Sequence, residues 1–347
     1  MAGKSPLARA FAAILRWYAQ PALPRDPLNN PLINADTAHR IAGALRVYVR
    51  GLYQLINPWT LSGDYSSPQE PIPTSLVFPE SVLGAILMVT PLLIGAFITL
   101  RIRSAKKSAP LIGAALVWIV VFYLPVSNIP MVLPTVRAER FWYFPAIASS
   151  ILLGLFFSWL YETANRRVAT YAIFFFLLFQ GVCARKHAND YTNDLVFWDA
   201  TRHAVPRSAK AHLNYSVMKG ARDDLPTRLA SNKVALDLAP EWPMASVYYA
   251  DTLCRMKRPR EAWPYYKQGF KLGPNDMGLI GLGLQCLWDA GVLTPEGEIR
   301  AELKEMEEEN DGTWLASIVN DLLENGATNN GVAPKYRPRG YNEGPKE

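Results

Sequence analysis

Ser81–Leu100 reads SVLGAILMVTPLLIGAFITL, a run without a single charged side chain. About 20 largely apolar residues in a helix cross the roughly 30 Å hydrocarbon core of a bilayer, so this run reads as a membrane span. Working outward, Ser108–Val136 is also uncharged, with its apolar centre at Leu111–Leu124. Phe141–Leu160 is a further uncharged run as long as the first, and Val168–Ala184 adds a slightly shorter one. Buried core helices of a soluble domain are usually shorter and carry charges along one face; these runs do not. Half of the 347 residues are apolar while mean hydropathy is only +0.02, because the apolar residues are concentrated in these four runs. The fold class is therefore read as all-α, with a multi-pass transmembrane domain of four helices over 81–185.

The formal charge of +6 could point to nucleic acid, but its placement argues for a membrane instead. Arg101, Arg103, Lys106 and Lys107 separate the first two runs, and Arg166 and Arg167 the last two. Short basic loops of this kind are cytoplasmic topogenic signals. The opposite loops carry Arg137, Arg140, Arg185 and Lys186. The bias of six against four puts the N-terminal segment and the C-terminal domain on the outer, periplasmic or luminal, side. No nucleic-acid partner is expected.

Beyond the last span, Pro206, Pro240 and Pro274 recur at the period of tetratricopeptide repeats, about 34 residues. The second unit is the fullest: Tyr249, Ala250 and Leu253 in its first helix, Ala262 and Tyr266 in its second, and Lys271-Leu-Gly-Pro274 at its close. Small residues such as Ala250 and Ala262 let paired helices approach closely, and the closing proline ends one unit and starts the next. A tetratricopeptide-repeat α-solenoid is expected over 186–324, with a concave face for a protein ligand. The charged helix Glu298–Glu309 reads as its solvent-facing cap. From Asn325 onward Gly, Asn and Pro dominate, so 325–347 is read as a disordered tail. Counted from the closing prolines Pro240 and Pro274, Cys254 and Cys286 differ by two positions, about 200° around a helix. They are expected to face apart and not to pair. With Cys183 at the end of a span, the three cysteines make neither a disulfide framework nor a metal spacing.

Residues 1–80 hold two basic amphipathic stretches, Leu7–Gln20 with Arg9 and Arg16, and Ala38–Ile56 with Arg46 and Arg50. Arginines interrupt both at mid-depth, so this region is read as an amphipathic interfacial segment in contact with membrane lipids. Packing on the protein's own membrane domain is the alternative reading. An outer N-terminus would require the whole segment, with seven Lys or Arg, to be translocated by the first span alone. Either one amphipathic stretch spans, or a partner assists, or the segment follows further membrane helices.

No glycine-rich phosphate loop, nucleophile elbow or His/Glu zinc pattern occurs. What remains is polar chemistry beside the membrane: Asp26, Asn30 and Asp36, then Ser62-Gly-Asp-Tyr-Ser66, then Val136-Arg-Ala-Glu-Arg140. Arg137 and Arg140, three apart, can share one side of a helix start and hold a lipid phosphate through charge-assisted bonds. Asp64 and Glu139 are the candidate catalytic carboxylates, able to act as a general base or position a hydroxyl. Interfacial anchoring, or an ion pair between Glu139 and an arginine, is the simpler reading of the same residues.

The run Asp26-Pro-Leu-Asn-Asn-Pro-Leu32 with Arg40, and Leu61-Ser-Gly-Asp-Tyr-Ser-Ser67 with Ile72-Pro73, resembles the transmembrane O-mannosyltransferases that target cadherins and their bacterial relatives. The resemblance continues through Val136-Arg-Ala-Glu-Arg-Phe-Trp-Tyr-Phe-Pro145, Trp198 and Ala209-Lys-Ala-His-Leu-Asn-Tyr215, covering about Asp26 to Pro274. It implies a multi-span glycosyltransferase using a polyprenyl-phosphate-linked sugar as donor, with repeats on the outer side. Members of that family carry their acidic catalytic residues in an N-terminal membrane half that nothing in residues 1–80 matches. The chain is therefore read as a membrane-anchored repeat protein acting as a non-catalytic scaffold or accessory subunit that docks other membrane proteins. The alternative is the C-terminal subunit of a split glycosyltransferase. No resident cofactor or metal is expected.

Overall fold

The computed structural model describes residues 26–101 and 108–338. The stretch Leu7–Gln20, the basic loop after Arg101 and residues 339–347 lie outside them. The described residues form thirteen α-helices and no strands. They are α1 (Thr37–Ile56), α2 (Pro79–Arg101), α3 (Ala109–Tyr123), α4 (Tyr143–Thr163), α5 (Arg166–Asn189), α6 (Asp194–Ala204) and α7 (Ala209–Gly220). There follow α8 (Leu225–Leu238), α9 (Pro243–Arg255), α10 (Pro259–Leu272), α11 (Met277–Asp289), α12 (Glu298–Glu309) and α13 (Trp314–Asn329).

Among the described residues, four helical segments are long and apolar enough to cross a membrane: Pro79–Thr99, Ala109–Val126, Glu139–Thr163 and Arg166–Asp190. They coincide with the four uncharged runs. Helices α2 and α3 cross where Gly95 meets Gly113; a Cβ on Gly95 would lie 2.7 Å from the Gly113 carbonyl oxygen. Without that pair the backbones could not touch, and close backbone approach is how helices associate in lipid. In α5, by contrast, only Ala169 and Cys183 are buried.

Helix α1 does not simply lie in the headgroup region. Asp36 caps its start by accepting from the Ala38 and His39 amides, and Ala42, Ala44, Val47, Tyr48 and Gly51 are buried. The Tyr48 ring packs 5.0 Å from Tyr123 and 5.6 Å from Trp142, knitting α1 to α3 and to the turn before α4. The alternative reading of its amphipathic pattern, packing on the protein's own spans, is what the structure adopts.

The loops flanking α1 (26–36 and 57–78), the turn 127–142 and the C-terminal helices all lie at one end of the spans, whereas α1 packs against the spans themselves. Buried Asn30 donates to Asn128 and to the Leu133 carbonyl, fastening the first to the second. Asp64 fastens the first to the third, accepting from Ser66 and from the Ser208 hydroxyl at 2.7 Å, with Lys210 at 3.5 Å.

The C-terminal part is a row of helix pairs. Helices α7, α9 and α11 begin at Ala209, Pro243 and Met277, each three positions after one of the recurring prolines. Ala250 and Ala262 are fully buried between α9 and α10, and the core runs on through Phe270, Ile280, Leu284 and Leu287.

Two expectations fail here. Cys254 and Cys286 form a disulfide, with Cα atoms 6.4 Å apart. A 200° offset separates two residues of one helix, but these cysteines belong to two helices. Helices α9 and α11 are neighbours stacked in the same sense, so residues that meet must point to opposite sides of their own helices. The disordered-tail expectation is also corrected over the described residues 325–338: α13 continues to Asn329, and Val332, Ala333 and Tyr336 are buried. The Asn/Gly-rich stretch is a helix stop, with Asn330 left-handed at φ 52°, and Gln285 accepts from the Val332 amide to hold the returning chain. Helix α12 therefore does not cap the row alone; α13 packs against both it and α11.

Candidate functional site

The polar residues singled out from sequence converge at the end of the spans that meets the C-terminal helices, but they separate into different tasks. Arg137 is buried and turns inward, donating to Glu70 at 2.8 Å while its guanidinium stacks 4.2 Å over the Tyr65 ring. Arg140, three residues on, is exposed and has no carboxylate partner among the described residues. Arg137 lies before the 3-10 turn Glu139–Trp142 and is separated from it by the extended Ala138 (φ −154°, ψ 142°), so the two arginines do not share a helical face.

Arg140 lines a cavity of about 580 Å³ with Gln54, Ser62, Glu139, His187 and Tyr191. Its wall is shaped by Gly51, where a Cβ would sit 2.2 Å from the Trp142 ring. Glu139 is fully engaged at this wall. It accepts from the Ser62 amide and from the Tyr65 hydroxyl at 2.9 Å, and lies 3.2 Å from His187 Nε2. Burial raises the Tyr65 phenol above its ordinary range, which keeps it protonated as a donor. The expected ion pair between Glu139 and a neighbouring arginine is absent among the described residues; its partners come from elsewhere in the chain.

Asp64 does not line this cavity. Its carboxylate faces Ser66, Ser208 and Lys210, so it joins the loop to the start of α7. Asp26 likewise accepts from the Leu28 amide and the Asn29 side chain within its own turn.

A second cavity of about 860 Å³ lies between α1 and the spans, walled by apolar side chains including Leu83, Ile119, Leu153, Phe156 and Phe176. Leu55 lines both cavities, so the polar one borders the apolar one at a single side chain. A polar chamber thus adjoins an apolar one between α1 and the spans. Among the described residues, no cluster of three or more His, Cys, Asp or Glu side chains could hold a metal ion.

Sequence reasoning missed Gln54, His187, Tyr191 and the buried Glu70. His187 follows the uncharged run Val168–Ala184 by three residues, a position that was a usable signal. Glu70, lying between Gln69 and two prolines, offered none. In comparisons with known proteins, no family model, no characterised protein and no solved structure matched this chain.

Proposed function

We propose that this chain is a membrane-anchored tetratricopeptide-repeat protein related to polyprenyl-phosphate-dependent glycosyltransferases. It acts as a non-catalytic accessory subunit that receives a lipid phosphate at Arg140 while its repeats hold a protein. The observation that carries this reading is the division of labour in the cavity. Arg140 is open for an anion, whereas Glu139 is engaged by Ser62, Tyr65 and His187 and Asp64 faces the repeats. Glycosyl transfer to a hydroxyl needs a carboxylate free to take its proton, and neither candidate is free. A disulfide between Cys254 and Cys286 persists in oxidising compartments, which supports the repeats lying on the periplasmic or luminal side.

The test is binding and turnover on the purified chain in detergent. A polyprenyl phosphate should bind, and Arg140→Ala should weaken it by about 1.5–3 kcal/mol, the worth of a hydrogen bond to a charged group. No sugar should be transferred from a polyprenyl-phosphate sugar. Robust turnover abolished by Asp64→Asn would overturn the reading. The adjoining apolar cavity favours one second reading, the lipid-binding subunit of a split glycosyltransferase; transfer appearing only when a co-purifying membrane partner is added would select it.

A further inference from the structure

We infer a second anion site, separate from the Arg140 cavity, between Arg50 and Arg137, with a phosphoryl group as its ligand. Arg46 and Arg50, four positions apart on α1, and Arg137 all converge on Glu70, which is fully buried. The Glu70 oxygens lie 2.7 Å from Arg50 and 2.8 Å from Arg137. The remaining carboxylate is Glu80, 2.9 Å from Arg50 and partly exposed. Three guanidiniums thus face two carboxylates, leaving one positive charge without a counterion in a half-buried place.

That surplus charge borders a space. A cavity of about 320 Å³ is lined by Arg50, Arg137, Gln54, Thr60, Tyr53 and Glu80. Arg137 gives one nitrogen to Glu70, and no acceptor among the described residues meets its other two. Arg50, by contrast, holds Glu80 through both Nε and Nη2, and Glu80 reaches in as the group an incoming anion would displace. The Gln54 amide is already committed to the Thr60 carbonyl and the Tyr65 hydroxyl, but two guanidinium forks and the Thr60 hydroxyl still offer more donors than a planar carboxylate can accept. A tetrahedral phosphoryl group uses them fully. Gln54 lines both this cavity and the one at Arg140, so the two anion sites are neighbours divided by one side chain.

The experiment uses the full chain carrying Arg140→Ala, so that the cavity proposed above does not contribute and the two ideas fail separately. Inorganic phosphate is titrated calorimetrically in neutral detergent at low ionic strength. In parallel, the same chain is placed in nanodiscs of phosphatidylcholine with or without phosphatidic acid. Saturable, single-site binding is expected. Glu80→Gln, which removes the competing carboxylate, should tighten it about tenfold, and Thr60→Glu, which places a carboxylate at the exposed rim, should reduce it by at least about tenfold. Both substitutions are at partly or fully exposed positions and leave the buried Glu70 cluster intact. Binding of free phosphate alone assigns a soluble anion. Binding only with phosphatidic acid, under the same two substitutions, assigns a lipid headgroup. No saturable binding to either probe, or binding that ignores both substitutions, overturns the site.

Discussion

The two halves of the molecule place their large apolar side chains by opposite rules. In the C-terminal half they face inward: Phe270, Ile280, Leu284 and Leu287 are fully buried, beside one buried ion pair, Arg228 with Asp251, while Arg258 and Glu261 pair on the surface. In the membrane half, large apolar side chains face outward, Leu93 at 65% exposure and Phe175 at 62%, and the fully buried carboxylate Glu70 lies within a ring of arginines. The contrast follows from the solvent. Water drives apolar area inside, whereas lipid is as apolar as leucine, so the spans associate through close packing and polar bonds.

The sharpest way to break this comparison is at Glu70. Glu70→Gln should destabilise the membrane half by about 3–5 kcal/mol, because it leaves buried arginines without their counter-charge. Thermal unfolding in detergent, followed through tryptophan fluorescence, reads it; an unchanged midpoint would mean that water already reaches the cluster. Phe270→Ala should cost the repeat half about 3–5 kcal/mol through the cavity it leaves, seen as a lower melting point with the membrane half unaffected. Replacing Cys254 and Cys286 together by serine should cost the repeats about 2–4 kcal/mol, and in the unaltered chain a free-thiol assay should find the pair oxidised. The smallest effect belongs to Phe175→Ala. On a lipid-facing surface it should shift stability by no more than about 0.5 kcal/mol. A loss resembling that of Phe270→Ala would show that another helix covers α5.

Much of this architecture is legible in the sequence. The spans can be read because uncharged runs of about 20 residues leave few alternatives, and the prolines set the phase of the helix pairs. Helix α13 is legible too: Thr313 is a capping residue, and Leu315, Ile318, Val319 and Leu322 follow at helical spacing, while only its end, 325–329, falls in the tail reading. The Gly/Asn composition beyond it masks that signal. At the candidate site the residue types are readable and their partners are not. Whether Arg137 faces Glu70 or solvent depends on a 67-residue separation in sequence and on the extended backbone at Ala138. No local pattern encodes either. The disulfide is a different kind of miss, since the helical angles are right and only the stacking geometry is wanting.

The link at Asp64 has a mechanical consequence. The loop meets the start of the repeats through several short bonds: Asp64 with Ser208, the Ala209 amide with the Ser67 carbonyl, the Arg207 amide with Gln69, and Lys210 with Asn29. Next to Asp64, Gly63 abuts the Phe197 ring, and Ser62 and Gly63 both line the cavity at Arg140. The C-terminal helices are thus clamped to the rim of the cavity and not hung on a slack tether, so any displacement of α7 must be taken up in the loop whose Ser62 and Gly63 form that rim.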